Sequence, residues 1–135
     1  MSGKLFDGTA VSSAEWDDQV TVLNFWYAAC APCRAEAPDL VALHEEYEPQ
    51  GATFYGVNIR DEQATAEAFE RNFEIPYESF DDKNGGVLLG MTQYVPPQAV
   101  PTILVIDREG RVSARILGLA DRSTLKALIS DALAE

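Results

Sequence analysis

The chain contains two cysteines, Cys30 and Cys33, separated only by Ala31 and Pro32. Two thiols at this spacing, placed where a helix starts, can carry out disulfide exchange. A helix N-terminus presents unpaired N–H groups that favour a thiolate, and the thiolate is the attacking species in exchange. The second thiol lies one helical turn on, within reach of a mixed disulfide at the first sulfur. Pro32 falls in the first turn, where its missing N–H costs nothing. Other dithiol chemistries fit less well. A zinc site needs about four ligands, whereas this chain has no third cysteine and a single histidine. Covalent haem attachment needs a histidine directly after the second cysteine, and Arg34 stands there. A structural disulfide over so short a loop adds little stability. The residues favour a redox-active dithiol, with an inert or structural pair as the alternative.

Several elements must position this pair. Val20 to Tyr27 (VTVLNFWY) is β-branched, aromatic-rich and nearly all apolar, which predicts a strand buried on both faces. Before it, Val11 to Gln19 reads as a short helix opened by Ser12 or Ser13 and anchored by Trp16. A helix from about Ala31 to Tyr47 carries Ala37, Leu40, Leu43 and Tyr47 at helical spacing, with a kink expected at Pro38. Ala52 to Ile59 reads as a second buried strand. Asp61 then caps a helix to about Asn72 with Ala64, Ala68 and Phe69 inward. A short strand near Tyr77 to Phe80, a turn over Asp81 to Gly86 and a short helix over Val87 to Tyr94 follow. Pro96, Pro97 and Pro101 end that helix. Thr102 to Ile106 and Val112 to Leu117 form a hairpin about the turn Asp107-Arg108-Glu109-Gly110. Asp121 caps a last helix carrying Leu125, Leu128, Ile129 and Leu133. This order predicts one α/β domain over residues 1–135, a mixed central sheet with helices on both faces.

The composition sets bounds. Of 135 residues, 47% are apolar and 24% charged, as in an ordinary globular domain. The 22 acidic and 10 basic side chains leave a net charge of −12, which opposes nucleic acid and anionic membrane surfaces as partners. No apolar run approaches the roughly 18 residues of a membrane span. Met1-Ser2-Gly3-Lys4 is followed by no apolar signal-peptide core. Taken literally that start is cytosolic; it equally suits a chain whose leader has been replaced.

The stretch from Val22 through Cys30-Ala31-Pro32-Cys33-Arg34-Ala35-Glu36-Ala37-Pro38, with Asn24-Phe25-Trp26 ahead of the cysteines and Val100-Pro101-Thr102 downstream, resembles the thioredoxin superfamily. Within it, the resemblance is to the TlpA/ResA-like thiol–disulfide oxidoreductases, and it spans roughly residues 5 to 133. It implies a thioredoxin-like fold and a protein disulfide reductase or oxidase that needs no cofactor or metal. Cys30 becomes the attacking, solvent-facing thiol and Cys33 the buried resolving one. Pro101 becomes a cis-proline that docks the substrate's cysteine segment, against the alternative of an ordinary strand-start proline. The same resemblance makes Trp26, Pro32, Val100 and Pro101 the substrate-contacting surface. Glu36 matches an acidic residue the group carries near its active site. It is either a proton acceptor for Cys33 or a solvated helix glutamate. Trp26 either packs beside the dithiol or belongs to the core.

The implied partners are proteins bearing thiols or disulfides, plus an upstream redox partner, and the chain is expected to be monomeric. The family often reduces apocytochrome or other exported-protein thiols. That favours reduction, and an extracytoplasmic, membrane-tethered domain whose leader is absent here, with a cytoplasmic reductase as the alternative.

Departures from the family pattern also matter. Asn24 stands where thioredoxin proper has a buried aspartate, so that proton acceptor is missing. Ala29 replaces a common tryptophan, and Tyr94 to Val100 is slightly long, which reshapes the docking groove. A peroxiredoxin-like peroxidase shares the fold but uses P-x-x-x-T-x-x-C; Leu23 and Tyr27 stand where its Pro and Thr belong. Copper delivery on this fold uses CxxxC and a distal histidine, and no histidine follows His44. His44 itself, roughly 20 Å along the helix from Cys30, reads as a surface histidine. Arg34 either favours the thiolate weakly or is solvated. Glu45-Glu46, Glu48 and Asp81-Asp82 read as solvated faces.

Overall fold

The computed structural model describes residues 1–96 and 99–135. The chain opens with a hairpin absent from the sequence reading: β1 (Ser2–Lys4) and β2 (Ala10–Ser12) pair antiparallel, Gly3 opposite Val11. Strands of three residues are too short for alternation to register. A 3-10 turn over Ser13–Trp16 follows, opened at Ser12 as expected. Ser12 Oγ accepts from the Ala14 N–H, and Glu15 Oε2 accepts from the Ser12 N–H at 2.8 Å. This seats Trp16, 3% exposed, in the core.

Next come β3 (Val20–Trp26), α1 (Ala31–Tyr47), β4 (Ala52–Asn58), α2 (Gln63–Asn72) and β5 (Ser79–Asp81). They are followed by α3 (Gly86–Gly90), β6 (Thr102–Ile106), β7 (Val112–Leu117) and α4 (Arg122–Ala134). The five-stranded sheet runs β5-β4-β3-β6-β7. β3 pairs parallel with β4 and antiparallel with β6, so the sheet is mixed. All seven β3 side chains are buried, as a central strand covered on both faces requires.

Alternate β3 residues serve two cores. Val20 and Val22 pack with Leu40 and Leu43 of α1 and Leu125 and Ile129 of α4. Leu23 and Phe25 pack with Val11, Trp16, Phe80 and Val87. Thus α1 and α4 cover one face, while the N-terminal hairpin, the 3-10 turn and α3 cover the other. On the first face, α2 adds Phe69, whose ring lies 4.6 Å from that of Trp26.

Some details differ from expectation. β3 ends at Trp26, one residue before Tyr27. α1 runs as one helix through Pro38, which lies inside it. In α2 the N-cap is Glu62, and Ala66 is buried while Ala64 is exposed. Asp61 is free of capping because it is used elsewhere, as described below. α3 is shorter than expected, ending at Gly90. Asp82 is buried, not solvated: its carboxylate accepts the Val87 and Leu88 N–H groups at 2.7 and 3.0 Å, filling the orphan donors of α3. Of the stretch Tyr94 to Val100, Pro97 and Gln98 lie outside the described residues.

Candidate redox site

Cys30 is the N-cap of α1 and Cys33 its third residue; the two sulfurs are joined in a disulfide with the Cα atoms 5.2 Å apart. The Cys33 N–H donates to Cys30 Sγ at 3.2 Å, so the first sulfur satisfies a helix-terminal donor as a capping side chain does. Cys30 is 4% exposed and Cys33 2%. The expected solvent-facing thiol is therefore nearly covered in the disulfide form, and the two sulfurs differ little in access. Ala29, Ala31 and Pro32 around them are exposed.

The loop into Cys30 is held by a carboxylate that the sequence reading assigned to helix capping. Asp61 Oδ2 accepts from the Ala28 N–H at 2.7 Å and from Asn58 Nδ2 at 3.0 Å. Asn58 Oδ1 in turn accepts from the Arg60 and Asp61 N–H groups. The Arg60 guanidinium lies 3.8 Å from the centre of the Tyr27 ring, clamping the same loop.

Trp26 packs in one cluster with Cys30, Cys33, Ala37, Ala66 and Phe69, so it is both core and neighbour of the dithiol. At 3% exposure its side chain is buried in the disulfide form, below the surface on which a substrate contact was expected. Its Nε1–H donates to Ser79 Oγ at 3.1 Å across Gly56. Val100 packs against the same cluster, and the Val100–Pro101 peptide is cis. Pro101 is buried while its carbonyl accepts the Gly118 N–H at 2.8 Å. Beside that contact, Leu117 and Leu119 are 50% and 58% exposed. Of the expected contact residues, Pro32 and Val100 reach the surface.

Glu36, one turn past Cys33 on α1, is 1% exposed, which removes the solvated alternative. Its Oε2 accepts the Ala120 N–H at 3.0 Å, and its Oε1 has no protein partner. Burial raises its pKa to about 7, the Ala120 hydrogen bond opposing and Asp39 assisting. A buried carboxyl with a pKa near neutrality can take or give a proton at physiological pH.

Behind Cys33 is a small cavity walled by Cys33, Asn24, Ala37, Tyr77 and Trp26 among others. The Tyr77 hydroxyl's pKa is pushed up by burial and by Glu36, with Asn24 pulling it back. Sequence reasoning missed Tyr77. Its one signal was a lone tyrosine inside the weakly strand-like run after Pro76. His44 is half-buried, its ring 5.4 Å from those of both Phe54 and Tyr77, and burial lowers its pKa. It is a packed histidine, not a surface one. Arg34 directs its guanidinium over the Phe73 ring at 5.6 Å.

The sheet order, the CxxC at the head of α1 and the cis-proline before β6 define a thioredoxin-like fold with its dithiol in place. The chain belongs to the AhpC/TSA family, whose model matches residues 1–115. It is similar to the thiol:disulfide interchange protein HelX of Rhodobacter capsulatus, 31% identical over 87% of this chain and 63% of that protein. It is also similar to the thiol-disulfide oxidoreductase ResA of Geobacillus thermodenitrificans, 31% identical over 77% of this chain and 58% of that protein. The chain thus spans about three-fifths of the length of these curated relatives. Among solved structures, a secreted thiol-disulfide isomerase from Corynebacterium glutamicum superposes with a TM-score of 0.92. It is 28% identical, and the match covers 100% of this chain and 84% of that one. A thiol:disulfide interchange protein of the thioredoxin family from Chlorobium tepidum gives 0.87 at 27% identity, covering 98% and 92%.

Proposed function

We propose that this chain is a thiol–disulfide oxidoreductase for protein cysteines, working as a reductase. The observation that carries the reading is Cys30 Sγ capping α1 through the Cys33 N–H, with Val100 packed against the cluster that holds the pair. In the reduced form, Cys30 thiolate attacks a substrate disulfide. The Cys30–substrate bond forms as the substrate S–S bond breaks, and the first substrate sulfur leaves as thiolate. Cys33 then gives its proton to Glu36, and its thiolate attacks Cys30 Sγ. The Cys30–Cys33 bond closes and the second substrate sulfur leaves. Two electrons pass to the substrate, and an upstream dithiol partner returns them.

The similarity to HelX and ResA supports this class of reaction, and the secreted relative supports an extracytoplasmic setting. No helix among the described residues is long and apolar enough to cross a membrane. With a net charge of −12, the partner surfaces presented to the dithiol are neutral or basic.

The test is the redox equilibrium of the chain against glutathione, with insulin reduction by the chain and by its Cys30→Ser and Cys33→Ser variants. Cys30→Ser loses reduction, and Cys33→Ser stalls as a mixed disulfide. Equal activity in the wild type and Cys30→Ser sinks the reading. An equilibrium as oxidising as glutathione's own reverses the proposed direction.

A further inference from the structure

Two acceptors near the dithiol are buried without a protein partner: Asn24 Oδ1 and Glu36 Oε1. Buried acceptors left unpaired are costly, so a bound water ordinarily satisfies them where a polar pocket can hold one. The cavity behind Cys33 gives a water centre about 10 Å³, which is about one molecule's worth. Asn24, Cys33 and Tyr77 all wall it. Glu36 lies one helical turn from Cys33, beside the wall residue Ala37, so its carboxyl and the Cys33 thiol share a face of α1.

We propose that Tyr77 is a positioning residue for the Cys33 proton: with Asn24 it holds one water in this cavity, and that water links Cys33 to Glu36. The inference rests on the exchange chemistry proposed above and deepens its resolving step. The donor and acceptor count closes. A water's two protons serve Asn24 Oδ1 and Glu36 Oε1, and its two lone pairs accept the Tyr77 O–H and the Cys33 S–H. When Cys33 ionises, the water takes the thiol proton and passes one of its own to Glu36 Oε1. The products are a thiolate, a neutral carboxyl and an unchanged water. Tyr77 also lines an open surface cleft with His44, Phe54 and Glu78, so its ring stands between that cleft and the cavity.

The groups that bear on Glu36 come from several elements. Asp39 on its own helix raises its pKa and the Ala120 N–H after β7 lowers it, while its own charge pushes up the pKa of Tyr77 in the loop before β5. Glu70 of α2 and the His44 ring act on Tyr77. A neutral hydroxyl anchoring the water favours the ionised Glu36, so its removal raises the Glu36 pKa and slows proton removal from Cys33 near neutral pH.

The experiment is single-turnover oxidation of the reduced chain by oxidised glutathione, quenched in acid. Mass spectrometry counts the glutathione adduct at Cys30, whose decay is the resolving step. Tyr77→Phe keeps the ring and removes one hydroxyl. Its adduct forms as in the wild type, decays about tenfold more slowly near pH 7, and shows its pH inflection displaced upward. A decay rate and inflection equal to the wild type overturn the proposal. Glu36→Gln separates the two readings: slowed decay there with unchanged decay in Tyr77→Phe leaves Glu36 as acceptor without the water. Unchanged decay in both removes the Glu36 step itself. A proton inventory of wild-type decay in H2O/D2O mixtures needs no variant. A curved plot, with two protons in flight, supports the water; a linear plot overturns it.

Discussion

The Ala120 N–H donates to Glu36 Oε2 at 3.0 Å, a buried hydrogen bond that joins the segment after β7 to the dithiol helix. One oxygen of the carboxyl is thereby fixed on protein and the other is left buried without a protein partner. The bond also explains why Glu36 tolerates burial: a single N–H offsets part of the desolvation penalty, and the rest appears as a pKa of about 7.

That pKa makes stability depend on pH. The folded value of about 7 exceeds the ordinary 4.5, so between these values the folded chain holds a proton that the unfolded chain has lost. The stabilisation is fully present below about pH 4.5 and is lost as pH rises through about 7, a change of about 3 kcal/mol. Glu70 adds a contribution of the same sign, and His44, with its pKa lowered, one of opposite sign. Urea denaturation of the wild type and Glu36→Gln across this range isolates the Glu36 part. The variant becomes progressively more stable than the wild type as pH rises, and a pH-independent difference would refute the assignment.

Asp61 holds the backbone entering Cys30 through the Ala28 N–H at 2.7 Å. Asp61→Ala leaves that donor and Asn58 Nδ2 without their acceptor, at a cost of about 1–3 kcal/mol. The loss falls beside the dithiol, so the reduction potential moves together with Tm. Denaturation together with equilibration against glutathione checks both. A variant with lowered Tm and an unchanged potential removes Asp61 from the site and leaves it a structural role.

The central strand, the dithiol helix and the closing hairpin were legible because their signals are local. Val20 to Trp26 is apolar but for Thr21 and Asn24, Ala31 to Tyr47 repeats at helical spacing, and Asp121 caps α4, accepting the Thr124 N–H. Cys30 and Cys33 were legible because their spacing is itself the chemistry. Tyr77 and Asp61 were not, because what they do depends on a partner brought near by folding. Asp61 meets Ala28 across 33 positions, and Tyr77 reaches Asn24 only once β4 and β5 have stacked beside β3. Asp82 misled for a related reason: a charged pair reads as surface until a helix start is found needing its oxygens.

Gly56 is required by contact, not by conformation. A Cβ there meets Ser79 Oγ and comes within 2.7 Å of Trp26 Nε1, the two atoms of the hydrogen bond that sets the Trp26 ring. Gly56→Ala forces them apart at a cost of about 1–3 kcal/mol. Because Trp26 sits with both cysteines, its fluorescence change between oxidised and reduced forms is altered as well. The measurement is made in a Trp16→Phe background, which leaves Trp26 as the sole tryptophan. Unaltered stability and an unaltered fluorescence change both contradict the contact.

In the reduced chain, Cys30 ionises below the ordinary thiol value of about 8.5, because its sulfur occupies the N-cap of α1 and accepts the Cys33 N–H. The helix end, not Arg34, supplies the stabilisation: the Arg34 guanidinium is over Phe73. Cys33→Ser keeps the backbone donor and removes the second thiol, so its ultraviolet thiolate absorbance titrates Cys30 alone. Arg34→Ala in that background leaves the midpoint nearly in place. A midpoint at the ordinary thiol value rejects capping as the source of reactivity, and a large upward shift in the Arg34 variant transfers the effect to the guanidinium.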